Sequence, residues 1–249
     1  IREWLTWKYL LYNDFKFRKR LKNSNIIVNS MLLYEKYKNL SSSIKIIKTT
    51  TLSKKDFYSR QDTCHNKDIN ILYTGRFEVM KGLLELFKAF KNLTLKYDRL
   101  NLILVGWDVD PRKTFEKKLK HLRSKLNLNE RIKFHGKKKI GEELNEFYRK
   151  SDIYIMPSHF EGFPRTIWEA MANSLPVIAT KVGGIPYNLN DGKDSLLIDS
   201  KNHLQIEEAI LEIINNNSLR KKIIKNGHDL AKSNTLDSQA EILISHVKK

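Results

Sequence analysis

Two short runs carry residues whose types and spacing suit work on a phosphorylated, hydroxyl-rich ligand. The first is Gly75-Arg76-Phe77-Glu78-Val79-Met80-Lys81-Gly82. Arginine offers a planar fork and lysine a mobile point charge, a pair that can hold a diphosphate and neutralise the charge that grows as it departs. The same residues read equally well as a glycine turn with solvated charges, because the run matches neither a Walker loop nor the dinucleotide G-x-G-x-x-G fingerprint. The second run is Pro157-Ser158-His159-Phe160-Glu161-Gly162-Phe163-Pro164, with Glu169 just beyond it. Pro164 suits the first turn of a helix, where a missing N–H costs nothing. The start of such a helix is a ready anion site, and Gly162 permits close backbone approach.

Glu161 and Glu169 invite comparison with the carboxylate pair of a retaining glycosidase. Those carboxyl groups stand about 5 Å apart, whereas the intervening helical residues would separate these two by roughly 12 Å. Separate tasks fit better, one carboxylate accepting from a sugar hydroxyl and the other bridging a ribose diol. The plainer alternative is that Glu161 caps the helix while Glu169 makes a surface ion pair. Asp108-Val109-Asp110 imitates a metal-binding D-x-D, but it follows Val105-Gly106 and precedes Pro111, where aspartate serves turn chemistry. The histidines show no metal-ligand spacing, so no metal site is expected. His135 and His159 fall at strand ends. The single cysteine, Cys64, has no partner for an internal disulfide.

The elements that must position these runs are legible from residue 68 onward. Short apolar segments at 69–73, 100–105, 131–135, 153–156, 176–179 and 195–198 alternate with helical patterns. That is the signature of a parallel sheet covered on both faces. Each segment is expected to lead into a helix. The first, over 81–97, sets Leu83, Leu84, Phe87, Phe90 and Leu93 on one face. The expected fold is therefore α/β, a doubly wound parallel sheet of Rossmann-like type, in which ligands sit at the carboxyl ends of the strands. The loops after Tyr73, Val105, His135, Met156 and Ala179 then share one rim. Residues 1–66 read differently: a basic aromatic helix over 2–22, a β-α-β piece over 26–48, and a poorly periodic linker from 49 to 67. The domain division expected is 1–66 and 67–249, with final helices over 204–215, 219–231 and 236–246.

Composition bounds the rest. The chain has 249 residues and 41% hydrophobic content, and its mean hydropathy is −0.50. It contains no apolar run near the roughly 18 residues of a spanning helix, so a cytoplasmic globular protein is expected. It begins at Ile1 inside an aromatic helical pattern, and the expectation is that a preceding portion exists. A formal net charge of +18 attracts polyanions without choosing among nucleic acid, anionic lipid and nucleotide diphosphate. Trp4, Trp7, Tyr9 and Tyr12 beside Lys16, Arg18, Lys19, Arg20 and Lys22 point to peripheral contact with an anionic membrane. No nucleic-acid partner is expected.

Taken in order along the chain, these pieces resemble group 1, family-4-type retaining glycosyltransferases of the GT-B fold. Gly75-Arg76 with Lys81-Gly82 resembles that family's phosphate loop. Ser151-Asp152, Pro157-Ser158 and the segment from Glu161 to Glu169 resemble its E-x7-E motif with its lead-in. Glu169-Ala170-Met171-Ala172, Pro176-Val177-Ile178-Ala179-Thr180, Val182-Gly183-Gly184-Ile185-Pro186 and Asp191-Gly192 complete the series. The likeness is close over 68–249 and loose over 1–66, which resembles the end of the acceptor-side domain.

The resemblance implies that Arg76 and Lys81 bind the donor pyrophosphate at Gly75. It also implies that Glu161 holds a donor-sugar hydroxyl beside the backbone N–H groups of Gly162 and Phe163, that Glu169 binds the ribose diol, and that His135 and Gly136 border the base. Pro164 would open the helix that faces the diphosphate. Transfer would be from a nucleotide-sugar to a saccharide or lipid-linked acceptor, with retention and with neither metal nor cofactor. A sucrose- or trehalose-type synthase and a donor-binding module without turnover are the alternatives. Departures from the family pattern are Tyr187, Asn173-Ser174, Ser195, and Thr49-Thr50-Thr51 in the linker.

Overall fold

The computed structural model describes residues 2–22 and 24–248, with side chains from Tyr12 onward. Trp4, Trp7 and Tyr9 therefore lie outside the described residues as far as side-chain placement is concerned. The chain divides into two compact units, Thr50–Leu236 and a smaller one comprising Ile1–Thr49 with Asp237–Lys249.

The smaller unit holds α1 (Arg2–Leu21), β1 (Ile26–Val28), α2 (Met31–Tyr37) and β2 (Ile44–Ile46), with β1 and β2 paired in parallel. Ser30 starts α2 by accepting from the Leu33 N–H through its hydroxyl. Tyr12, Phe15 and Phe17 are exposed on α1.

The larger unit runs β3 (Ile69–Phe77), α3 (Leu83–Thr94), β4 (Leu100–Asp108), α4 (Thr114–Lys125), β5 (Ile132–Phe134), α5 (Glu142–Arg149), β6 (Ile153–Met156), α6 (Arg165–Ala172), β7 (Val177–Thr180), β8 (Leu196–Ile198), α7 (His203–Asn215) and α8 (Asn217–Lys232). Among the described residues its sheet has the order β5-β4-β3-β6-β7-β8, and every pairing is parallel. The chain leaves β3 through α3 toward β4 on one side, and leaves β6 through α6 toward β7 on the other. Right-handed crossovers then place α3 and α6 on opposite faces. Consistent with this, α3 packs with α4 and α7, and α6 with α5 and α8. The central strands are closed to water on both sides: every residue of β6 and β7 is buried, as the unbroken apolar runs require. The closing helix α9 (Leu236–Val247) carries Gln239, whose Oε1 accepts from the Lys48 N–H at 2.7 Å inside the smaller unit.

Two local expectations are corrected. Helix α3 starts at Leu83, not at residue 81, because a 3-10 turn over Val79–Lys81 ends at Gly82 with φ +66°. A Cβ there would lie 1.9 Å from the Pro157 carbonyl oxygen, so only glycine allows the loops after β3 and β6 to meet. Its buried face is Leu83, Leu86, Phe87, Ala89, Phe90 and Leu93, with Leu84 only half-buried. Between β7 and β8 there is a short 3-10 turn, Ile185–Tyr187, in place of an α-helix. Gly183, Gly184 and Pro186 favour a turn over a sustained helix.

Residues 50–66 run along the larger unit. Leu52 is buried, and the Arg60 guanidinium donates to the carbonyls of Arg149 (3.1 Å) and Ser151 (2.6 Å). Burial pushes the Cys64 thiol up to about 11, so it stays protonated near neutrality.

Candidate functional site

The order of the sheet decides where a ligand can sit. Connections diverge from β3 and β6, so a crevice opens at the carboxyl ends of this neighbouring pair. Register carries the loops there: Gly75 stands beside Gly106 at the ends of β3 and β4. A cavity of about 490 Å³ occupies the crevice and gathers Gly75, Arg76, Lys81, Glu161, Pro164 and Glu169. Its lining does not include Gly162, Phe163, His135 or Gly136.

Glu161 is held at the junction of the two loops. Its Oε1 accepts from Lys81 Nζ at 2.5 Å and from Ser158 Oγ at 2.8 Å. The Lys81 and Glu161 side chains are only 14% and 11% exposed. Thr180 Oγ1 steadies the turn by donating to the Ser158 carbonyl at 2.6 Å, and the His159 N–H donates to the Met80 carbonyl at 2.8 Å. Glu161 is therefore not a helix cap. Pro164 itself takes the capping position, one residue ahead of the first helical turn, and supplies no side-chain cap bond. Since Pro164, Arg165 and Thr166 all line the cavity, the positive end of α6 meets it.

Glu169 is not a surface ion pair either. Its side chain is 6% exposed, and Arg165 Nε is 3.9 Å from Oε1. Tyr148 donates its hydroxyl to Oε2 at 2.9 Å, and Thr51 donates to Oε1 at 3.0 Å. Burial, and after it the adjacent Glu169 charge, pushes the Tyr148 hydroxyl well above the ordinary phenol range, which keeps it a donor.

The glycine that shapes the Glu161 turn is Gly183. It has φ +55°, and a Cβ there would lie 1.6 Å from the Glu161 carbonyl oxygen. At Gly162 an added Cβ meets no protein atom within 4 Å, and its carbonyl accepts from the Gly184 N–H at 2.5 Å. Phe163 packs on Trp168, with ring centroids 4.5 Å apart. His135 packs on Phe147 at 4.9 Å. Burial, followed by the charges of Lys138 and Lys133, lowers the His135 imidazole below its usual range. The Gly136 carbonyl accepts from the Gly106 N–H at 2.9 Å.

Sequence reasoning missed part of the lining. Lys137, Lys138 and Arg165 join Arg76 and Lys81, so cations outnumber the carboxylates and the cavity favours a multiply charged anion. Trp107 forms another wall, with Lys137 Nζ 4.6 Å from its ring centroid. The available signals were an aromatic residue directly after Gly106 at a strand end and the lysine run after Gly136. Asp108 is occupied elsewhere: its Oδ2 accepts from the Phe115 and Glu116 N–H groups at 2.7 and 2.9 Å, at the start of α4.

Comparison with known proteins bears on the fold and the family. A glycosyltransferase of Methanocaldococcus jannaschii is 37% identical over 161 residues, which cover 65% of this chain and 42% of that one. The chain thus spans less than half the length of this relative. The C-terminal domain of a glycosyl transferase group 1 family protein from Francisella tularensis superposes with a TM-score of 0.64 at 28% identity, over 73% of this chain and 97% of that domain. Anabaena HepE, crystallised with UDP, shares the fold with a TM-score of 0.75 at 19% identity, over 91% of this chain and 64% of that one. The family model for glycosyl transferases group 1 matches residues 54–230, a span that contains the Rossmann-like sheet and every described wall of the cavity; the chain belongs to that family.

Proposed function

We propose that the cavity is the donor site of a retaining glycosyltransferase that moves a hexose-type sugar from a nucleoside-diphosphate sugar to a saccharide or lipid-linked acceptor in cell-surface glycan assembly. The observation that carries this reading is the meeting of two differently held carboxylates with excess cations at a helix N-terminus in one crevice. Arg76 and Lys81 take the diphosphate, with the start of α6 adding its dipole. Glu161 accepts from a hydroxyl of the donor sugar, near the N–H groups of Gly162 and Phe163. Glu169 accepts from the ribose diol, and the base lies toward His135 and Gly136, past Trp107. Lys81 lines the cavity beside Glu161, and its charge serves the leaving group as the glycosidic bond to phosphate breaks. Stabilising that charge is the main catalytic contribution, made by side chains and amides without a metal ion or cofactor.

A thermal-shift panel of UDP-, GDP- and ADP-sugars tests the donor site. One nucleotide series is expected to raise the unfolding temperature with a dependence on ligand concentration. No shift with any of them would refute the assignment.

The reading extends to a place of work at the cytoplasmic face of a membrane. No helix among the described residues is long and apolar enough to cross a bilayer. Helix α1, however, exposes Tyr12 and Phe15 and carries Lys16, Arg18, Lys19 and Arg20. Co-sedimentation is expected to rise with the anionic-lipid fraction of the vesicles and to fall with salt. Binding indifferent to both would remove the membrane from the proposal.

A further inference from the structure

Resting on the donor-site reading above, we infer that Thr51 and Tyr148 are positioning residues that set the Glu169 carboxylate to receive a vicinal diol. A glutamate carboxyl group turns about a broad, roughly two-fold torsion, so burial alone does not fix its plane. Here each oxygen is tied separately. Tyr148, from α5, donates to Oε2 at 2.9 Å, and Thr51, from the extended segment ahead of the sheet, donates to Oε1 at 3.0 Å. Arg165 Nε, 3.9 Å from Oε1, is beyond hydrogen-bonding distance.

An ionised carboxylate has about four acceptor directions. With one taken on each oxygen, one remains on each, and Glu169 lines the cavity where a ligand would use them. Two adjacent hydroxyl donors match two adjacent free directions, whereas a single hydroxyl leaves one unused.

The tyrosine is itself held by a directed chain. Its one proton goes to Glu169, so the Thr74 hydroxyl, 2.8 Å away, is the donor in their contact. Thr74 then accepts from Tyr154, whose hydroxyl lies 3.2 Å from Thr74 Oγ1. All three residues are buried, with Thr74 at the cavity wall. Thr51 lies within the threonine run that departs from the family's linker pattern, and Glu169 gives that run a task.

The test compares UDP, GDP and ADP with their 2′-deoxy counterparts by titration calorimetry, using the chain as it stands. The native protein is expected to prefer the ribonucleotide of its series. Thr51→Val keeps the shape and removes the hydroxyl, and is expected to reduce that preference about tenfold, the worth of one hydrogen bond to a charged group. Tyr148→Phe, acting on the other oxygen, is expected to do the same, and Thr51→Ser to restore it. A purely structural role would lower the melting temperature or weaken both ligands equally, leaving the ratio untouched. An unchanged ratio in both folded variants would overturn the inference while leaving the donor site intact. Failure of the native protein to bind any of the nucleotides would overturn both.

Discussion

Glu169→Gln is expected to weaken binding of the matching nucleoside diphosphate about thirtyfold, roughly 2 kcal/mol. The substitution removes the charge and sets an amide nitrogen against one of two donors, because Tyr148 and Thr51 address both oxygens. Glu161→Gln should behave in the opposite way toward the nucleotide alone. It frees Lys81 from its 2.5 Å partner, so affinity for the diphosphate is unchanged or rises, while the additional affinity contributed by the attached sugar is lost. Calorimetry with the diphosphate and the intact nucleotide-sugar separates the two. An equal loss at both positions would mean that the carboxylates shape only the overall field, and unaltered affinity in Glu169→Gln would remove the ribose role.

The second large effect concerns stability. Arg220 and Asp62 have side chains 4% and 6% exposed and join through Nε–Oδ1 at 2.6 Å and Nη2–Oδ2 at 3.1 Å. Arg220 Nη1 also donates to the carbonyls of Ile213 and Ile214, so one guanidinium ties the residues before the sheet to the end of α7. Arg220→Met leaves a buried carboxylate without its main partner and is expected to cost about 3–5 kcal/mol. Denaturant titration followed by circular dichroism would register this as an earlier midpoint. An unchanged midpoint would show that the pair contributes nothing net.

The pH dependence has a definite sign. Burial alone would raise the Asp62 carboxyl, but the bonds from Arg220 and the Thr63 amide outweigh it and hold the group below the usual range. A depressed folded-state value means that this stabilisation is complete above the ordinary carboxylate range and is lost as pH falls through the lower, folded value. In Arg220→Met that acid-labile component should be missing.

The sheet was legible because its information is local. Apolar runs long enough for one strand, separated by glycine and proline, identify β3 to β8 without reference to anything distant. The same reasoning expected the segments after β3 and β6 on a common rim, where Arg76, Lys81, Glu161 and Glu169 do line one cavity. Local reasoning went wrong where the local pattern had a distant cause. Residues 81–97 look helical from the start, yet Gly82 is bent by the approach of Pro157, and Gly183 is required by the Glu161 carbonyl oxygen. Pro164, expected inside the first turn, stands just before it.

By itself the sequence determined the class of fold and the two segments after the cores of β3 and β6 that carry Arg76, Lys81, Glu161 and Glu169, although β3 and β4 run on to Phe77 and Asp108, past the expected ends at 73 and 105, so that Arg76 lies in a strand and Glu169 in α6. What each carboxylate is bonded to was decided only by the tertiary structure. Glu161 found Lys81 across 80 residues, and Glu169 found Tyr148 and Thr51 across 21 and 118. Spacing along the chain left open a capping glutamate and a solvated ion pair, because either side chain can meet those needs in an isolated helix. Folding leaves Glu169 only 5% exposed at the cavity wall, and the sides of the carboxylate turned away from the cavity must be satisfied by whichever donors the packing of α5 and the segment before β3 delivers.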